Sequence, residues 1–225
     1  MKQYENGMVI DGLDEIELEN TSIDDIGSEN INLIFLGIDQ SGSMKVYDQD
    51  MRHALEEFRT ALMNSREAEE ILVARANFDS GIDVGGYKRI DEFQTGFTAR
   101  GCTAMYDAIT EGTSKLKNYR AFLKNEGMRV KAVFAVFSDG LDNDSRRTFS
   151  EAKQAVSFLN QEEITTAFIS FGGKAAGTAR DLGFQNLLDV TSSASELRRA
   201  FDCLSRSVIE SSRSVLADAN DFFQF

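Results

Sequence analysis

Proline is absent from all 225 residues, although average usage of ~5% would place about 11 in a chain of this length. Native cis-proline turns and PxxP ligand segments are therefore excluded. Long apolar runs are also missing. The longest cover residues 33–38 and 132–137, far short of the ~18 residues a membrane-spanning helix needs. No basic segment followed by an apolar one opens the chain, so the sequence carries no secretory-signal pattern and a cytoplasmic address is expected. Cys102 and Cys203 are the only cysteines. Two are too few for a disulfide framework and are expected as reduced thiols. Basic residues are outnumbered, 24 to 37, which gives a net charge of −13. Without a strong basic cluster, neither nucleic acid nor an anionic membrane surface is an expected partner.

What the chain does have is a sizeable apolar fraction, 42%, beside 27% charged residues. That supports a real core in one domain with short arms. Residues 1–30 hold nine acids and one base, Lys2, and so carry −8 of the net charge. Aliphatics are scattered among these acids. The segment reads as an acidic N-terminal arm, lying on its own domain or a partner or solvated. Residues 31–210 read as the folded domain and 211–225 as a C-terminal tail. Phe222, Phe223 and Phe225 in that tail read as packing on the domain or as a docking peptide.

Short apolar runs without alternation, at 31–38, 71–78, 131–137 and 164–171, indicate strands buried on both faces. Between them the apolar spacing turns helical. Met51, Leu55, Phe58 and Leu62 mark one helix over 49–64, and Met105, Ile109, Gly112, Leu116, Tyr119 and Leu123 mark another over 104–124. Two more are marked by Phe149, Ala152, Val156 and Leu159, and by Leu197, Phe201, Leu204 and Val208. Ser193 with Glu196 forms a capping-box pattern before the last. Alternating strands and helices predict a doubly wound α/β domain, Rossmann-like, with a mostly parallel six-stranded sheet and helices on both faces. Residues 82–90 follow the second strand after three residues, too few for a crossover, so that strand is predicted antiparallel and at an edge. The helices over 49–64 and 104–124 are expected on opposite faces.

Ligands in such sheets bind beyond the carboxyl ends of the strands, where strand order reverses. Asp39, Ser41 and Ser43 follow the first strand, Asp139 follows the strand at 131–138, and Thr103 precedes the second long helix. Two carboxylates and three hydroxyls are hard oxygen donors. The set suits Mg²⁺, with Mn²⁺ as the second fit, and disfavours zinc. Asp39 and Asp139 are expected to meet on neighbouring strands. The bland alternatives are ordinary turns for the two aspartate segments, and a helix N-cap for Thr103. Asp142 and Asp144 read as a second acidic shell or as solvated loop charges.

Asp39-x-Ser41-x-Ser43, Thr103 through Ala108 opening a helix, and Ser138, Asp139 and Gly140 followed by Asp142 and Asn143 together resemble the metal-ion-dependent adhesion site of von Willebrand factor A domains. The likeness covers about residues 31–210. Ser205, Ser207, Ser211, Ser212 and Ser214 near the end look most like small intracellular bacterial members associated with tellurite-resistance operons. The resemblance implies that Ser41, Ser43 and Thr103 bind a cation through hydroxyls. It implies that Asp39 and Asp139 bind it directly or through water, and that a partner protein's Asp or Glu takes the open position. Cys102 departs from the glycine the family often has there.

Enzyme readings rank behind this one. The stretch from Gly96 to Thr103 is one residue short of a phosphate-binding loop and has Cys102 in the lysine position. Asp39 as a phosphorylated nucleophile lacks an acid two residues on, where Ser41 stands. The one histidine, His53, falls on the polar side of its helix, away from Ser41 and Ser43. A metal-dependent phosphoesterase is the retained enzyme alternative. The other alternative is a self-associating structural or phage protein whose own acidic arm is the ligand, which would make it a homo-oligomer.

Overall fold

The computed structural model describes residues 29–66, 70–213 and 222–223. Most of the acidic arm, and Phe225, lie outside the described residues. The strands are β1 (Asn30–Asp39), β2 (Ile71–Phe78), β3 (Ile82–Val84), β4 (Lys88–Arg89), β5 (Arg129–Ser138), β6 (Thr165–Phe171) and β7 (Asn186–Val190). The helices are α1 (Asp48–Met63), α2 (Met105–Asn125), α3 (Phe149–Gln161), α4 (Ala176–Leu182) and α5 (Ala194–Arg213).

The sheet runs β3-β2-β1-β5-β6-β7. The number of strands on this path is the six expected, and the pairs from β2 through β7 on it are parallel. The edge strand expected over 82–90 is antiparallel but broken. β3 pairs with Ala76 to Phe78, and the two-residue β4 pairs lower down β2 as a seventh strand. The interruption falls at Gly85, whose backbone N–H still donates to the Arg75 carbonyl at 2.9 Å. Sequence reading located neither β7 nor α4.

The central strand explains the layering. Along β1 the side chains alternate faces. Ile34, Leu36 and Ile38 join the core under α1 and α5. Ile31, Leu33 and Phe35 join the core under α2, α3 and α4. Both faces are apolar, so the run is unbroken from Leu33 to Ile38. Phe35 and Phe134 are register partners on β1 and β5 and stack with centroids 4.8 Å apart. α2 crosses this ring closely: a Cβ on Gly112 would lie 2.2 Å from the Phe35 ring. α3 opens on a capping box between Thr148 and Glu151. α5 opens with Ser193 Oγ accepting from the Glu196 N–H at 3.3 Å. Phe222 is buried in the α1–α5 core, with Phe223 packed against it. Its N–H donates to Asn186 Oδ1 at 2.9 Å. These two residues of the tail therefore pack on the domain.

Among the described residues no helix is long and apolar enough to cross a membrane. Cys102 is exposed, Cys203 is buried, and both are free thiols. His53 is exposed on α1.

Candidate functional site

Successive strands step from β1 to β2 on one side and then return to β5 on the other. The reversal therefore falls between β1 and β5, and the crevice of a doubly wound sheet opens above their carboxyl ends. Asp39 ends β1 and Asp139 directly follows β5.

Asp39 is fully buried. Its Oδ1 accepts from the Ser41 N–H at 2.8 Å, and its Oδ2 accepts from Ser138 Oγ at 2.5 Å. The two donors fix the carboxylate plane. The Ser41 and Ser43 hydroxyls are 3.0 Å apart, and Ser43 Oγ donates to Asp139 Oδ1 at 2.9 Å. Four of the five sequence-predicted residues thus form one hydrogen-bonded chain, joined at Asp39 through the Ser41 N–H and from Ser41 to Asp139 through side-chain oxygens.

Thr103 is the fifth, buried beside this chain. Its N–H donates to Asn143 Oδ1 at 2.8 Å, and its carbonyl accepts from the Asn143 and Asp144 N–H groups at 3.0 and 3.2 Å. A Cβ on Gly140 would lie 3.9 Å from Thr103 Oγ1, so the loop carrying Asp139 passes close to this hydroxyl. The N-cap role for Thr103 is not what the structure shows. Ala104 holds the N-cap of α2 and makes no side-chain cap bond. The loop after β5 caps the helix instead. Asp142 Oδ1 accepts from the Tyr106 N–H at 3.1 Å and Ser145 Oγ from the Asp107 N–H at 3.1 Å. The Thr103 hydroxyl is left for the crevice. Asp142 is thus a half-buried capping residue, whereas Asp144 is exposed.

Three neighbours of the site had no assigned role in the sequence. Ser138 anchors Asp39. Asn143 grips the Thr103 backbone. Asp107 accepts from the Arg146 and Arg147 N–H groups at 3.0 and 2.7 Å, pinning the far end of the β5 loop to α2. All three lie inside the segments that carry the family resemblance, which was the available signal. On the β2 side, the Gly42 N–H donates to the Gly101 carbonyl at 3.1 Å, and the Ala104 N–H to the Asp79 carbonyl at 2.8 Å. Gly101 has a φ of +69°, and a Cβ there would sit 2.7 Å from Ser80 Oγ. Only glycine fits this turn into Cys102 and Thr103.

Burial pushes both carboxyls up, Asp39 further opposed by the Asp139 charge. Hydrogen bonds from Ser138 and Ser41 act against this at Asp39, and the Ser43 hydroxyl and the Lys174 charge act against it at Asp139. Two desolvated carboxyls, one of them raised further by the charge of the other, are a place where a dication is favoured. Among the described residues no three Asp, Glu, His or Cys side chains gather as a cation cage, at this site or elsewhere. The donor set here is two carboxylates with hydroxyls, all hard oxygens, and it fits a small hard dication.

Comparison with solved structures finds this architecture in the vWF domain of the type V pili tip protein Mfa5 from Porphyromonas gingivalis. The TM-score is 0.59 at 13% identity over 84% of this chain and 98% of that one. The fold is von Willebrand factor A-like. The pilus adhesin SpaC from Lactobacillus rhamnosus GG, in its open conformation, matches with TM-score 0.63 at 11% identity over 82% of this chain. Proximal thread matrix protein 1 from the mussel byssus, in a form with a zinc-occupied MIDAS motif, matches with TM-score 0.55 at 17% identity over 81%. The chain spans 30% of SpaC and 46% of the mussel protein. No family model and no curated protein sequence matches it.

Proposed function

We propose that this von Willebrand factor A-like domain is a non-enzymatic, Mg²⁺-dependent protein-binding module of adhesion type. The observation that carries this reading is the hydrogen-bonded chain Asp39, Ser41, Ser43, Asp139 at the β1–β5 crevice, with Thr103 beside it. Ser41, Ser43 and Thr103 would hold the cation by hydroxyls, and Asp39 and Asp139 directly or through water. When bound, the ion supplies an open Lewis-acidic position for a carboxylate oxygen. The chain's own part is to orient and neutralise. Ser138 and the Ser41 N–H hold Asp39 in place, and the two carboxylates would balance a dication from the strand side, leaving its uncovered side to attract an Asp or Glu of a partner.

The pilus adhesins among the structural neighbours support a protein partner rather than a small substrate. The tellurite-resistance association rests on the serines of α5 and the tail, and with it goes a bacterial or phage cytoplasmic setting. Mn²⁺ is the second metal in this reading. Because the mussel protein's motif is titled as zinc-occupied, Zn²⁺ belongs in the same titration.

The deciding experiment is affinity capture from host lysate with Mg²⁺ or EDTA, using wild type and Asp39→Ala. A protein retained only by wild type in Mg²⁺ is expected. Equal capture by Asp39→Ala, or in EDTA, sinks the mechanism.

A further inference from the structure

Residues 93–104 run from the edge of the sheet to α2 with no helix or strand of their own. They deliver Thr103 to the candidate cation site, so whatever fixes their path fixes its hydroxyl. Such a stretch does not pair with itself, and its buried backbone groups need partners from elsewhere. Its apolar hold is Phe93, Phe97 and Ala99, buried in the core under α1 and α5. After Ala99 no residue is buried until Thr103.

The polar hold comes mostly from α1. Asp48, Arg52 and Arg59 follow one another at intervals of 4 and 7, which places them on one flank of the helix. Arg59 Nη2 donates to the Asp91 carbonyl at 2.7 Å, just before the segment. Arg52 Nε donates to the Phe97 carbonyl at 2.9 Å, six positions before Thr103. Asp48 Oδ1 accepts from the Ala99 N–H at 3.0 Å, four positions before it. From there the segment runs beside the turn that carries the site's serines. The Arg100 N–H donates to the Gln40 carbonyl at 2.6 Å, and the Gly101 carbonyl accepts from the Gly42 N–H at 3.1 Å. Gln40 and Gly42 stand on either side of Ser41. α1 is therefore joined to both hydroxyl-bearing stretches. The chain itself connects it to Ser41 and Ser43 through residues 42–47, and Asp48 and Arg52 connect it to the segment that ends in Thr103.

Resting on the metal reading above, we propose that Asp48, supported by Arg52, is a positioning residue for the candidate site. It draws the segment against α1 so that the Thr103 hydroxyl shares the crevice with those of Ser41 and Ser43. Asp48 acts through the Ala99 N–H, not on the cation. The fold itself does not depend on this contact, because Phe93 and Phe97 already bury the segment against the core. The course of the exposed residues from Arg100 to Cys102 does.

The test uses the full chain and Mg²⁺ alone, titrated calorimetrically, with hydrogen exchange in EDTA as a readout independent of the metal. Asp48→Ala should weaken Mg²⁺ binding about tenfold, the scale of losing an outer support of a metal site, and should speed exchange at the Gly42 amide. Asp48→Asn keeps an acceptor oxygen and should restore most of both. Arg52→Ala should act in the same direction to a smaller extent. Arg59→Ala, at the far end of the segment, should leave Mg²⁺ affinity unchanged. So should Asp50→Ala, which removes an equal charge from the first turn of α1. In a Thr103→Val background Asp48→Ala should cost little more, because two residues that act through one another are not additive. Wild-type affinity in Asp48→Ala, its full cost in the Thr103→Val background, or an equal loss in Arg59→Ala overturns the proposal. If Asp48→Ala does not fold, Arg52→Ala carries the same comparisons. Failure of the wild type to bind Mg²⁺ overturns the metal reading, and exchange then decides the positioning. Faster exchange at Gly42 in Asp48→Ala but not in Arg59→Ala supports it, and equal exchange in both overturns it.

Discussion

Ser43 Oγ donates to Asp139 Oδ1 across 2.9 Å although 96 positions separate the two residues. The bond exists because β1 and β5 pair in parallel, with Ile38 opposite Phe137, so the residues just past both strands emerge side by side. It joins the hydroxyl half of the candidate site to its carboxylate half.

Removing the buried carboxylate tests the site most directly. Asp39→Ala should abolish Mg²⁺ and partner binding while the protein still unfolds in one cooperative urea transition. The Ser138 hydroxyl and the Ser41 N–H lose their acceptor, a cost of about 1–3 kcal/mol. Calorimetric Mg²⁺ titration and urea unfolding check both halves.

Stability should depend on pH in a cation-sensitive way. Burial raises the Asp39 and Asp139 carboxyls above their ordinary 3.8 in the cation-free fold. The folded state therefore binds more protons than the unfolded chain, and the stability these groups allow is full below 3.8 and lost as pH rises through their folded values. Mg²⁺ should offset that loss. The rise in Tm on adding Mg²⁺ is expected to be small near pH ~4 and to grow toward pH ~7. Thermal melts in Mg²⁺ and EDTA across that range measure it, and a shift independent of pH contradicts it.

The loop after β5 should act through Asp107. Asp107→Ala removes the acceptor for the Arg146 and Arg147 N–H groups and should weaken Mg²⁺ binding roughly tenfold, the scale of losing a supporting residue at a metal site. Asp107→Asn keeps one acceptor oxygen and should recover part of the affinity. Equal affinity in all three proteins would show that the clamp does not position the site.

Gly112 is required by packing. A Cβ there meets the Phe35 ring at 2.2 Å, so Gly112→Ala should cost about 1–3 kcal/mol by overpacking. Adding Phe35→Leu, itself destabilising, should cost less in this background than alone. Urea midpoints of the single and double variants measure the coupling.

The family resemblance in the sequence pointed to five candidate residues, and the structure brings four into one hydrogen-bonded chain with the fifth beside it. Their legibility came from position. Each follows a strand or precedes a helix whose apolar pattern is strong, such as residues 31–38 or Met105 through Leu123. β7 and α4 span five and seven residues. Neither is long enough for a helical or strand period to stand out.

The sequence by itself determined the class of fold, the two-faced burial of β1, and the hard-oxygen character of the candidate site, because these depend on residue type and on spacing within one element. The tertiary structure alone decided how those oxygens are used. Asp39 meets Ser138 from a neighbouring strand, and Thr103 keeps its hydroxyl because Asp142 and Ser145, some 40 positions on, cap α2 in its place. Such contacts depend on strand register and on one loop folding over another element, and no local pattern of residues encodes either.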